Sequence, residues 1–104
     1  MTLVDCGLKV HGFQVDDVAV VVVSGEVDSA SAPMLRAAFD TVGQDEHVYV
    51  DCAEVGFVDS EGLAVLCELA QRNVISGGPL YVRASAALRT CIQLNNVEHL
   101  FALD

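Results

Sequence analysis

The sequence predicts a single α/β domain, with a mixed four- to five-stranded sheet and about three to four helices. Three observations predict it. Val-rich stretches of strand length alternate with stretches whose apolar residues recur at helical spacing. The later strands are joined by connections long enough to hold a crossover helix, which makes those strands parallel. A chain of 104 residues with a hydrophobic fraction of 53% can fill one core and has no room for a second, so residues 1–104 form one domain.

The elements follow in order. Leu8, Val10, Phe13 and Val15 alternate with a slip at Gly12, which predicts an edge strand over 8–15 with a bulge at the glycine. Asp16-Asp17 is a tight connection into an antiparallel partner, Val18–Ser24. Its consecutive valines predict cover on both faces. Gly25-Glu26-Val27 leads into Asp28, Ser29 and Ser31, all good helix caps, and Pro33 suits a first helical turn. Leu35, Ala38, Phe39 and Val42 form one face of that helix, and Gly43 ends it.

Val48-Tyr49-Val50 is the next strand, and Asp51-Cys52-Ala53-Glu54 leaves it. A second helix follows Asp59-Ser60-Glu61-Gly62, with Leu63, Leu66, Cys67, Ala70 and Val74 inward. Glu68 and Arg72 lie four apart on its outer side, in the favourable order for an ion pair. Gly77-Gly78-Pro79 stops it. Leu80-Tyr81-Val82 is a strand, Ser85 caps a third helix with Leu88, Cys91 and Ile92 inward, and Leu100–Leu103 adds a short strand.

Charge excludes several functions. Fifteen acidic residues against five basic ones give a net charge of −10. Lys9, Arg36, Arg72, Arg83 and Arg89 are scattered, so neither a phosphate backbone nor an anionic lipid surface is attracted. No segment approaches the roughly 20 apolar residues of a membrane helix, and the first residues lack a signal core, so the expected location is the cytoplasm. Cys6, Cys52, Cys67 and Cys91 show no metal or redox spacing and read as reduced, buried side chains. His11, His47 and His99 are isolated and read as surface residues. No cofactor or metal is expected.

The most polar junction between a strand and a helix is Asp59-Ser60-Glu61-Gly62. Helix starts leave backbone N–H groups unpaired, so Asp59 or Ser60 can serve simply as a cap, with Gly62 allowing close packing. The same geometry presents a serine at the end of the sheet where functional loops gather. No residue nearby supplies the general base a nucleophilic serine needs, and no G-x-S-x-G elbow is present, so an enzyme is not expected.

Val48 through Leu66, with V-D-S-E-G-L at its centre, resembles the signature of STAS domains. It is similar, more narrowly, to the bacterial anti-sigma factor antagonists (anti-anti-sigma factors). Gly25-Glu26-Val27-Asp28 matches the family's G-E-[LIV]-D stretch, and the likeness runs from about Leu8 to Leu103. The resemblance implies a STAS-like fold with Ser60 as the phosphoacceptor. It implies a partner-facing surface of Gly25, Glu26, Asp28, Asp59, Ser60, Glu61 and Gly62. The implied partner is an anti-sigma factor, a serine kinase of histidine-kinase-like fold. Binding frees a sigma factor, phosphorylation ends the complex, and a phosphatase resets it, with ATP and Mg2+ belonging to the kinase. Glu61 stands where the family commonly has Ser or Thr. Similar acidic STAS domains also serve as non-switching accessory subunits on the ATPase of lipid-transport ABC systems, which is the alternative function.

Overall fold

The computed structural model describes residues 2–41, 47–76 and 79–104, with the backbone alone for 74–76. In chain order these form β1 (Thr2–Asp5), β2 (Leu8–Val15), β3 (Val18–Val27), α1 (Ala32–Asp40), β4 (His47–Val58), α2 (Ser60–Ser76), β5 (Leu80–Ala84), α3 (Ala86–Leu94), a 3-10 turn (Glu98–Leu100) and β6 (Phe101–Leu103). The six strands make one sheet in the order β1-β2-β3-β4-β5-β6. β1, β2 and β3 are antiparallel, and β3 through β6 are parallel. The expected α/β class and mixed sheet hold, with one strand more than expected.

That extra strand is β1. Only Leu3 of its four residues packs against the core, so it leaves almost no periodic signal. Its turn is clear in the structure: Cys6 (φ +52) and Gly7 (φ +76) form a two-residue hairpin loop with both residues left-handed, as a type I′ turn requires. β2 is therefore not an edge strand. Nor does it bulge, because Gly12 pairs in register with Val21. The slip in its pattern has another cause. Leu8 and Val10 point into the core, whereas Phe13 and Val15 lie on the opposite side of the sheet and are exposed.

The three helices follow from the same alternation, because they form one layer over one face of the sheet. Ala19, Val21 and Val23 of β3, Val48, Val50, Cys52 and Val55 of β4, and Leu80 and Val82 of β5 are buried. They meet Leu35, Ala38 and Phe39 of α1, Leu63, Val65, Leu66, Leu69 and Ala70 of α2, and Leu88 and Ile92 of α3. The valine run of β3 is not covered twice, since Val18, Val20 and Val22 remain half-exposed on the open face. Alternation had been hidden because both faces of a central strand are valine, one for burial and one for β-propensity.

β3 and β4 both run further than expected, to Val27 and Val58. β4 carries an extra residue twice: Val22 to Ser24 spans Asp51 to Glu54, and Gly25 to Glu26 spans Val55 to Phe57. These bulges break the alternation, so Cys52 and Val55 face inward three residues apart. The Asp51 carboxylate accepts the Ala53 N–H at 3.0 Å, satisfying an amide in the first bulge.

Helix starts are built as read. Ser85 Oγ accepts the Leu88 N–H at 3.1 Å, and Pro33 sits in the first turn of α1. Arg72 acts on Glu68 as expected, helping Arg36 to lower its carboxyl, and two bridges between helices are added. Arg36 donates twice to Glu68 at 3.0 and 3.1 Å, holding that carboxyl below its usual range, and Arg72 donates to Asp40 at 3.3 Å. Side-by-side packing of α1 and α2 offers each charge a partner across the groove; such exposed pairs contribute about 0–1 kcal/mol each. Cys6 is exposed rather than buried, Cys67 and Cys91 are half-buried against the core, and Cys52 is fully buried. The inward roles assigned to Val42 and Val74, and the stops at Gly43 and Gly77-Gly78, fall outside the described side chains and residues.

Candidate functional site

The parallel strands β3 and β4 end together, and the loops that leave them meet. Asp59 joins the two. Its N–H donates to Val27 O at 3.1 Å, extending the β3–β4 ladder to the last residue before α2. Its C=O accepts the Leu63 N–H at 2.9 Å, the first helical bond. Its Oδ1 accepts the Gly62 N–H at 2.8 Å, which makes Asp59 the N-cap. Its Oδ2 accepts the Ser29 N–H at 3.1 Å, from the loop between β3 and α1. One carboxylate thus caps α2 and ties down the neighbouring loop.

That loop is fastened from the other side by Ser31, which is fully buried. Its hydroxyl donates to Glu26 O at 2.8 Å and accepts the Asp28 N–H at 3.0 Å. Asp28 Oδ1 in turn accepts the Ser31 N–H at 2.9 Å. Glycine supplies the remaining closeness. Gly25 has φ +100, and a Cβ there would overlap the Gly7 carbonyl, which accepts the Glu26 N–H at 3.0 Å. Gly62 is buried, and a Cβ there would overlap the Val27 carbonyl.

On this frame Ser60 is the first residue of α2 and is exposed. With Asp59 acting as the cap, the serine hydroxyl is left without a hydrogen bond to any described residue. Glu61, also exposed, lies in the first turn, where a negative charge suits the helix dipole. Glu26 is exposed at the end of β3, while Asp28 and Asp59 are half-buried and engaged with backbone N–H groups. The structure therefore brings Gly25, Glu26, Asp28, Asp59, Ser60, Glu61 and Gly62 to one end of the sheet. The two glycines shape the site from behind, and no described cation pairs with its four carboxylates. No group of three or more potential metal ligands occurs among the described residues.

Three contributors were not singled out by sequence. Ser29 and Ser31 read only as possible caps, although one lends its N–H to Asp59 and the other is the buried fastener. Phe57, 51% exposed, pairs across the ladder with Glu26 beside the site; it stood in plain view as an aromatic two residues before Asp59. Cys91 also lies near: burial and then the Asp59 charge push its thiol upward from the ordinary range.

Replacing Asp59 with Ala is expected to cost about 1–2 kcal/mol, the upper part of the range for a lost N-cap, because a second amide is stranded as well. Hydrogen exchange checks the double role, since the Ser29 and Gly62 amides should lose protection together.

A protein-family comparison matches residues 11–103 to the family described as "Mlab, STAS domain". The chain belongs to the STAS domain family. No curated protein matches it. Among solved structures, it is similar to an anti-sigma factor antagonist from Mycobacterium paratuberculosis, with 29% identity and a TM-score of 0.78 over 92% of this chain and 84% of that one. The Bacillus cell-fate determinant SpoIIAA in its phosphorylated form shares the fold at 17% identity and a TM-score of 0.61, covering 91% of this chain and 90% of that one. Unphosphorylated SpoIIAA, also 17% identical, gives 0.64 over 82% of each chain.

Proposed function

We propose that this protein is an anti-sigma factor antagonist that binds a serine-kinase-type anti-sigma factor, frees a sigma factor, and is switched off by phosphorylation of Ser60. The observation that carries the reading is the uncommitted hydroxyl of Ser60, presented on a helix start whose capping is already done by Asp59. The likeness to the mycobacterial antagonist supports it. The chain acts as a cytoplasmic binding protein and not an enzyme; ATP and Mg2+ belong to the kinase, and a phosphatase restores the serine. Among the described residues no helix is long and apolar enough to cross a membrane.

The physical effect of the modification is local. A phosphate at Ser60 adds about −1.5 to −2 charges at a helix N-terminus, where the dipole favours it by about 0.3–1 kcal/mol. The fold tolerates it. A docked partner does not: two unit charges about 6 Å apart at an effective dielectric near 20 repel by roughly 3 kcal/mol, more than a hundredfold in affinity.

The test is titration calorimetry of wild type, Ser60→Ala and Ser60→Glu against the purified anti-sigma kinase of the same host. Ser60→Ala is expected to bind as wild type does, and Ser60→Glu about a hundredfold more weakly, with unchanged thermal stability. Equal binding by all three removes the switch. Glu61 favours a second reading, because it places a permanent charge beside Ser60: a non-switching accessory subunit on the ATPase of a lipid-transport ABC system. That reading predicts capture of a transporter ATPase equally by all three forms.

A further inference from the structure

The helices cover one face of the sheet and leave the other open. Strand register fixes what that open face presents. One row runs straight across five strands, Phe13, Val20, Tyr49, Tyr81 and Ala102, each the cross-strand neighbour of the next. It is an apolar stripe with an aromatic toward each end. Phe13 is 44% and Tyr81 61% exposed. The row beside it, Val15, Val18 and His47, is apolar but for the histidine. On the other side lies Thr2, His11, Val22, Asp51 and Arg83. Thr2 and His11 bond to each other at 2.7 Å, and the His11 ring leans on Phe13 with centroids 5.5 Å apart.

Charge separates this face from the rest of the molecule. Its described ionic groups include Lys9 and Arg83 against Glu26, Asp51, Glu54 and Asp104, a net of about −2 where the whole chain carries −10. Arg83 and Asp51 lie 4.0 Å apart and offset each other. A cationic partner would find its counter-charges at the loops and on the helix side. The face fits a surface equally apolar and equally low in net charge, and the face itself is such a surface.

We propose that the open sheet face is a self-association surface, through which two copies of this chain pair isologously, stripe against stripe. The area is adequate. Six strands about 4.8 Å apart, with open-face residues about 6.8 Å apart along each, present roughly 600 Å². Two copies then bury roughly 1,200 Å², the lower end of the range for specific interfaces, so the dimer is a weak one. The site end of the sheet, at Ser60, stays outside this contact, so the dimer presents two copies of it.

Such a dimer has an unusual salt dependence. Its contact carries little of the charge while its two halves carry −10 each, so salt strengthens it by screening long-range repulsion as the Debye length falls from about 20 Å to about 4 Å. Sedimentation velocity of the full chain from about 1 to 500 µM, at about 20 mM and 500 mM NaCl, tests this. The expected result is a monomer–dimer equilibrium that tightens at least about fivefold at high salt. Phe13→Glu and Tyr81→Glu, at opposite ends of the stripe, should each abolish the dimer while circular dichroism shows the fold intact. Leu94→Glu, on α3 and 78% exposed, should leave it unchanged. A monomer at every concentration and both salts overturns the proposal and leaves the face to a different protein. So does a dimer that survives both stripe variants, or one that weakens with salt.

Discussion

Gly62→Ala is expected to lower the melting temperature by about 10–20 °C, although it replaces a poor helix former with the best one. In an exposed helix the exchange would gain about 1 kcal/mol. Here the methyl has nowhere to go, since the Val27 carbonyl oxygen, its carbon and a Val27 methyl carbon occupy the space a Cβ would take. Two of those atoms are backbone and cannot swing aside. The start of α2 must lift from β3, and lifting it strains the Asp59 N–H to Val27 O bond that closes the ladder and disturbs the Asp59 carboxylate that holds Gly62 and Ser29. Overpacking against an unyielding neighbour costs about 1–3 kcal/mol, and stranded amides add to it, so the net loss is about 2–4 kcal/mol. Thermal denaturation checks it, with Gly56→Ala as the comparison. Gly56 has nothing within 4 Å of its would-be Cβ and should shift stability by under about 0.5 kcal/mol.

The second large effect is alkaline. Cys52 is completely buried in β4; burial, helped by the adjacent Asp51 charge, pushes its thiol from an ordinary value near 9 up to about 12. Between those two values the unfolded chain gives up the proton and the folded chain keeps it. The folded state binds more protons there, so stability falls as pH rises. It is at full strength below pH 9 and loses about 4 kcal/mol by pH 12 from this group, at 1.36 kcal/mol per unit. Cys67 and Cys91 are raised in the same direction, mainly by burial. Urea denaturation of wild type and Cys52→Ala across pH 8–11 isolates the term as the difference in slope between them. An equal slope in the two proteins would mean that Cys52 is not the group that titrates.

How far the sequence reached depended on whether a residue's role is local. Pro33, Ser85 and the 3.6-residue spacing of Leu35, Ala38 and Phe39 act within a few positions, and their helices lie where that spacing places them. The junction at Asp59 was legible for the same reason: a capping residue before an apolar run has a short-range signature. What stayed hidden depends on distant partners. The bulges of β4 exist only relative to β3, so nothing within His47–Val58 announces that Cys52 and Val55 share a face. Arg72 also reaches Asp40 because α1 lies alongside, a fact of packing and not of spacing. Ser31 looks like any cap serine until the strand end and the Asp28 loop close around it. β1 has too few buried residues to show a period at all.

The sheet keeps its strands in the order in which the chain is made. No strand has to be inserted between two that are already paired. The N-terminal hairpin is extended by β3, and each later strand lies on the free side of the one before, after a loop-and-helix excursion. Closing such an excursion costs entropy that grows only with the logarithm of its length, so no step resembles the closure of the whole chain. In a sheet built this way each strand can pair as soon as it follows its neighbour, and the two open edges are β1 and β6.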